Sequence, residues 1–153
     1  SSDLFKIFLT IKHDFMKWTK VLFVGVLTGI FAFFFGWLVF GVLMPGSMEY
    51  GVEGFARAED GMVWWAMILS NILWGLLLAY IFIRWASIST WWTGFKAALV
   101  IGFLVTAAFD AGLYSMTNMF ESLTAFLMDV LINTVYTAIL GAFAGWLAGK
   151  NWV

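Results

Sequence analysis

The chain has 153 residues, of which 63% are hydrophobic and 11% charged, with a net charge of −1 and no cysteine. A soluble domain is about half apolar and about one quarter charged, so this composition excludes an ordinary soluble core and indicates an integral membrane protein. The basic residues are dispersed, which argues against nucleic-acid binding. Without cysteine the chain has no disulfide and no thiolate metal site.

The first element, residues 1–20, is amphipathic. Apolar residues follow helical spacing on one side, while lysines and the single histidine, His13, occupy the other faces. This pattern predicts a helix lying in the membrane surface, and a cytoplasmic helix packed on a partner protein is the open alternative. We expect His13 to be a polar-face residue and not a haem or metal ligand. The apolar positions are Leu4, Phe8, Ile11, Phe15 and Trp18.

Four apolar stretches follow, and together they make residues 21–150 a transmembrane domain. At about 1.5 Å per residue each stretch crosses a hydrocarbon core of about 30 Å. Pro45 and Gly46 end the first stretch, and an acidic aqueous loop separates it from the second. We therefore predict an all-α membrane protein of four helices, arranged as two antiparallel hairpins after an interfacial helix. The predicted spans are 21–44, 62–83, 95–116 and 123–148, and the acidic residues of the loop are Glu49, Glu53, Glu59 and Asp60.

Basic residues predict the orientation of this bundle. All but one fall on the same side of the four-span arrangement, and Arg57 is the exception. By the positive-inside rule, both termini face the cytoplasm and the acidic loop faces outward. Tryptophans gather near both predicted boundaries, with Trp152 near the inner one, as aromatic belts do. The basic residues on the inner side are Lys6, Lys12, Lys17, Lys20, Arg84, Lys96 and Lys150.

Small and polar residues recur every fourth position in the last two spans, in mirror order around a turn at Met119. Residues four apart lie on nearly one helix face, and small side chains let helices approach closely in lipid. The pattern predicts an antiparallel hairpin with a polar outer end. The predicted pairs are Asp110 with Asp129, Thr106 with Asn133, Gly102 with Thr137, Ala98 with Gly141, and Gly94 with Gly145.

A weaker version of this pattern occurs in the first two spans. Gly25 and Gly29 are expected near Ala79 and Gly75, and Gly36 extends the small-residue stripe of the first span. These glycines predict close helix packing.

The polar outer end of the second hairpin is the candidate site. Asp110 and Asp129 share a depth of about 10 Å below the outer boundary, counted along the helices. Two carboxylates in a medium of low dielectric should not both be charged, which favours one shared proton. Two interpretations stay open: a site for a proton, a cation or a small polar solute, and a hydrogen-bonded clamp that fixes the helix register. The predicted members are Asp110, Asp129, Asn71, Asn133, Thr106, Tyr114 and Thr137.

Catalysis has no visible apparatus in the sequence. We find no set of nucleophile, base and orienting group, no phosphate-binding loop and no cluster of metal ligands, so we expect neither an enzyme nor a cofactor.

Several runs of residues carry a family resemblance. The segments Met128–Asn133, Gly141–Trp146, Phe35–Gly41 and Ser70–Tyr80 resemble small four-helix bacterial membrane proteins grouped as domain of unknown function 1761. The chain looks most like the short uncharacterised versions from Bacteroidetes. The resemblance covers about residues 21–150 and implies a four-helix membrane fold, but it supplies no catalytic residues.

We therefore expect a non-catalytic protein of the bacterial inner membrane. It would be a homo-oligomer or an accessory subunit of a larger membrane complex, with Gly25, Gly29 and Gly36 as contact surface. The alternative is a small channel or carrier whose polar pathway passes the Asp110 and Asp129 carboxyl groups together with Asn71 and Asn133.

Overall fold

Four long helices dominate a computed structural model of the chain, which describes residues 2–44 and 52–151. Within those ranges the protein is helical and has no strand. All four helices are long and apolar enough to cross a bilayer, so the predicted all-α class and the number of candidate spans are confirmed. Pro45, Gly46, Glu49 and Trp152 lie outside the described residues, together with the predictions that depend on them. The helices are α1 (Ser2–Gly36), α2 (Trp64–Tyr80), α3 (Trp91–Met116) and α4 (Leu123–Ala148).

Two of the helices continue beyond their α-helical part as π-helical turns. α1 runs on through Trp37–Leu43 and α2 through Ile81–Trp85. A 3-10 turn at Glu59–Gly61 precedes α2.

Side-chain caps explain where α3 and α4 begin. The Thr90 hydroxyl accepts the backbone N–H of Thr93 at 3.2 Å. The Ser122 hydroxyl accepts the N–H of Ala125 at 3.1 Å. Each hydroxyl satisfies a donor that the first helical turn leaves without a partner. α4 therefore begins at the predicted residue, whereas α3 begins one turn earlier than predicted, just after Thr90.

α1 departs from its prediction. The sequence divides it at Lys20 into a surface helix and a span, but the structure has one uninterrupted helix across that boundary. The stretch Asp3–Leu43 has 41 residues, which at about 1.5 Å per residue gives about 60 Å, twice the hydrocarbon thickness of a bilayer. A separate interfacial helix is therefore not confirmed, and this stretch is about twice as long as one crossing needs.

The helices pack mainly in two pairs, α1 with α2 and α3 with α4, and α4 also contacts α1. Glycine contacts give the direction of each pair. A Cβ atom on Gly25 would lie 2.8 Å from the Leu76 Cα, and one on Gly29 would lie 2.5 Å from the Ile72 Cα. Rising residue numbers in α1 thus meet falling numbers in α2, which makes the pair antiparallel. The largest fully buried apolar side chains are Phe82, Leu78, Leu140 and Val24.

These contacts correct the expectation that Gly25, Gly29 and Gly36 form a free surface for oligomerisation. Gly75 of α2 fits between Gly25 and Gly29, and all three glycines are buried. A Cβ on Gly36 would lie 3.0 Å from the Tyr136 hydroxyl. The expectation was wrong because the chain uses this stripe for its own helix packing.

Aromatic and charged groups join α1 to the far end of α2. The guanidinium of Arg84 hydrogen-bonds the Asp14 carboxylate and lies 5.0 Å from the centre of the Trp18 ring. That ring in turn stacks on Tyr80 at 5.5 Å. We call residues 2–13, which precede Asp14, the α1 extension. It continues past the end of α2.

Candidate functional site

The α3–α4 interface begins with close backbone contact. A Cβ on Gly102 would lie 2.7 Å from the Thr137 Cβ, and one on Gly141 would overlap the Ala98 side chain. A Cβ on Gly145 would lie 3.0 Å from the Gly94 Cα. The structure thus brings the small residues of the mirror series together across the interface. The two helices can approach this closely because Cβ atoms are missing at the contact points.

The acidic pair lies further along the same interface, towards the turn between α3 and α4. The Asp110 side chain is 4% exposed, whereas Asp129 is partly buried. The contact of Gly102 with Thr137 fixes the register of the two helices, and the same register continued by two helical turns sets Asp110 opposite Asp129. The structure therefore brings together two carboxyl groups that are 19 positions apart in sequence.

Asn133 positions the Asp129 carboxylate. Its Nδ2 donates to the Asp129 Oδ2 at 3.1 Å and to the Asp129 carbonyl oxygen at 3.0 Å. Both bonds connect residues one helical turn apart, so they hold the amide against the carboxylate.

The Asp110 carboxyl group has no hydrogen bond like the one that Asn133 donates to Asp129. Its Oδ2 is buried and has no hydrogen-bond partner among the described residues. A buried polar atom without a partner is rare and destabilising. Two ionised carboxylates are both acceptors and cannot bond to each other, but a carboxylic acid donates one hydrogen bond. A proton between Asp110 and Asp129 would therefore allow the bond that their proximity requires.

Other predicted members lie around this pair or apart from it. Thr137 is buried against Gly102, and Thr106 is partly buried on α3. Tyr114 is exposed, and its ring stacks on Phe126 at 5.4 Å.

Asn71 is bonded elsewhere. Its Nδ2 donates to the Met67 carbonyl of its own helix at 2.8 Å. Its backbone carbonyl faces Gly29 of α1. No described hydrogen bond joins it to the acidic pair, so its place in the polar pathway gains no support.

Sequence reasoning missed a polar contact between the two helix pairs. The Tyr136 hydroxyl donates to the Ala32 carbonyl at 2.7 Å, and its ring stacks on Phe35 at 5.4 Å. The only signal was a tyrosine in an apolar run, whose hydroxyl needs a partner when buried. Thr28 was missed as well: it is fully buried, and its Oγ1 has no partner among the described residues.

Metal ligands do not gather in the described part of the chain, where no three acidic, histidine or cysteine residues lie close enough to hold an ion. His13 is exposed on the α1 extension.

Comparisons with protein-family models, curated proteins and solved structures gave no match. The resemblance to domain of unknown function 1761 stays a prediction. What the protein does has to follow from its geometry.

Proposed function

We propose that this chain is a multi-pass protein of the bacterial inner membrane, built from two antiparallel hairpins with cytoplasmic termini. It serves as a non-catalytic subunit that assembles through α1, and the partner helix is α1 of a second copy.

The observation that carries this proposal is an exposed apolar stripe on α1. We use the name α1 stripe for Leu4, Phe8, Ile11, Phe15 and Trp18. Its last member, Trp18, already stacks on Tyr80 of α2, so the first four residues are the part left without a neighbouring helix. The side chains of Leu4 and Phe15 are 74% and 72% exposed, although α1 is ordered as a continuous helix there. Alternating steps of four and three residues repeat every seven positions, which is the spacing of helices that pack along their length.

The α1 stripe continues an interface that already exists inside the chain. Seven and eleven positions beyond Trp18, the same helix face carries Gly25 and Gly29, which pack on α2. α2 ends near Arg84, beside Asp14, so it cannot cover the α1 extension. A second helix is needed to bury the rest of this face.

A second copy fits this requirement. Copies inserted in one orientation send their α1 extensions out of the same side of the membrane, where the extensions lie parallel. Identical apolar stripes can then pack against each other about a twofold axis. Because the extension lies outside the hydrocarbon core, burial of its apolar side chains from water stabilises the contact.

Native mass spectrometry of the full chain in lipid nanodiscs tests this proposal. We expect a defined oligomer that the double variant Phe8→Glu, Phe15→Glu dissociates. The control Thr10→Glu adds a carboxylate to the polar face of the same segment and should leave the oligomer intact. A monomer of the unaltered chain, without any co-purifying partner, would contradict the proposal.

A second candidate, a small channel or carrier, is favoured by the buried, unpartnered Oδ2 of Asp110. Such a group beside a second carboxyl is the kind of site that binds protons or cations during transport. If the chain transports either ion, proton or sodium flux into proteoliposomes should fall at least about tenfold in the Asp110→Asn, Asp129→Asn variant, since a lost buried charged contact is worth more than about 1.4 kcal/mol. Asp60→Asn, in the exposed loop, is the control. Unchanged flux in the double variant rules transport through this site out.

A further inference from the structure

The Asp110–Asp129 pair makes no salt bridge with any residue that the structure describes. Among the described residues, the only ion pair joins Arg84 to Asp14, at the opposite end of the molecule. Lys96, the basic residue of α3, precedes Asp110 by 14 positions, which is about 21 Å along a helix. Neither Arg84 nor Lys96 therefore neutralises the two carboxyl groups.

The remaining ionisable groups near this end do not supply one either. Tyr114 on α3 and Glu121 in the turn are the nearest in sequence, and both are exposed. On the other helices, residues 21–44 of α1 and 62–83 of α2 include no Asp, Glu, Lys, Arg or His. These parts of α1 and α2 therefore bring no charged side chain to the pair.

A proton bound to the pair would lower its negative charge and supply the missing hydrogen-bond donor. Burial of two ionised carboxylates side by side is opposed by desolvation and by mutual repulsion. Protonation of one group removes the repulsion and creates the donor that the other group accepts. Asn133 already donates to Asp129 Oδ2 at 3.1 Å, so Asp129 is already an acceptor. The proton is therefore better placed on Asp110, whose Oδ2 is buried without a partner.

We propose that Asp110 and Asp129 form a proton-binding site that holds one proton at neutral pH, carried by Asp110 and donated to the Asp129 carboxylate. The bound species is a proton and not a metal ion, since the described residues offer no third acidic or histidine ligand. Asp129 is partly exposed, and we expect the bound proton to exchange with solvent. The proposal is that a proton is bound at equilibrium. It depends neither on oligomerisation of the chain nor on ion transport by it.

Infrared spectroscopy of the full chain in lipid nanodiscs tests this site. At neutral pH we expect a carbonyl stretch of one protonated carboxyl group, which moves on transfer to D₂O and on ¹³C labelling of aspartate. The labelling experiments use the unaltered chain, so they do not depend on the folding of a variant. Absence of such a band at neutral pH would overturn the proposal.

Two variants test whether the carbonyl band comes from Asp110. Asp110→Asn should abolish it, because the variant lacks the carboxyl group that carries the proton. The control Asp60→Asn, in the exposed loop, should leave the band in place. A band that survives Asp110→Asn contradicts the assignment. Loss of the band of the unaltered chain on addition of sodium at constant pH would place a metal cation in the site and would also overturn the proposal.

Discussion

Single missing Cβ atoms control how closely α3 and α4 approach. A side chain on Gly141 would collide with the Cβ of Ala98 and with the backbone carbonyl of Gly94. Neither obstacle is the end of a flexible side chain, so relief requires the helices to separate. Gly112, on the same helix pair, has nothing within 4 Å of the position where its Cβ would lie. Two glycines of the same hairpin therefore differ in what they contribute.

We expect Gly141→Ala to lower the free energy of unfolding by roughly 1–3 kcal/mol, the usual effect of overpacking a closely packed interface. Gly112→Ala is the matched control and should be neutral, or stabilising by up to about 1 kcal/mol, because alanine favours the helix. Unfolding of both variants in mixed detergent micelles, followed by circular dichroism, measures the difference. Equal stability of the two variants would show that the close contact does not matter.

Residue spacing predicted contacts between the two helices of one pair better than contacts between the two helix pairs. Gly102 and Thr137 meet as the mirror series indicates, since a short turn fixes the register of neighbouring antiparallel helices. The bond from Tyr136 to Ala32 joins α4 to α1, which are distant in sequence. No spacing rule fixes that contact, because it depends on how one hairpin rotates against the other.

At the scale of elements, α1 shows why a change in composition is a poor guide to a helix boundary. The sequence turns from lysine-rich to apolar at Lys20, which marks a change of environment. Helical hydrogen bonds depend on the backbone, and neither proline nor glycine interrupts residues 11–24. Thr19 could cap a new helix, but its hydroxyl donates to the Phe15 carbonyl of the preceding turn. The α-helix therefore continues through the boundary. The apolar stripe that suggested a surface helix instead becomes the exposed continuation of a packed face.

The sequence also did not predict the π-helical ends of α1 and α2. Patterns of apolar residues report which face is buried, but they do not show where a wider turn replaces the α-helical one. In both helices the wider turns occupy the last residues, at Trp37–Leu43 and Ile81–Trp85.

At the scale of the whole molecule, the apolar outer surface and the charge distribution belong together. The α3 face turned away from α4 exposes Val100, Phe103, Leu104 and Phe109, which is expected where lipid replaces water. Residues 2–20 of α1 and the end of α2 carry most of the basic residues. The described loop before α2 carries Glu53, Glu59 and Asp60 with Arg57, and all four are exposed. This asymmetry is what the positive-inside rule uses.

The resulting orientation can be measured directly because the chain lacks cysteine. We expect a single cysteine in Asp60→Cys to react with a membrane-impermeant maleimide in intact spheroplasts. Thr10→Cys, on the α1 extension, should react only after the membrane is opened, since the lysines around it favour the cytoplasmic side. The cysteine-free parent is the control for background. Labelling of Thr10→Cys in intact spheroplasts would reverse the orientation, and the α1 stripe would then face partners outside the cell.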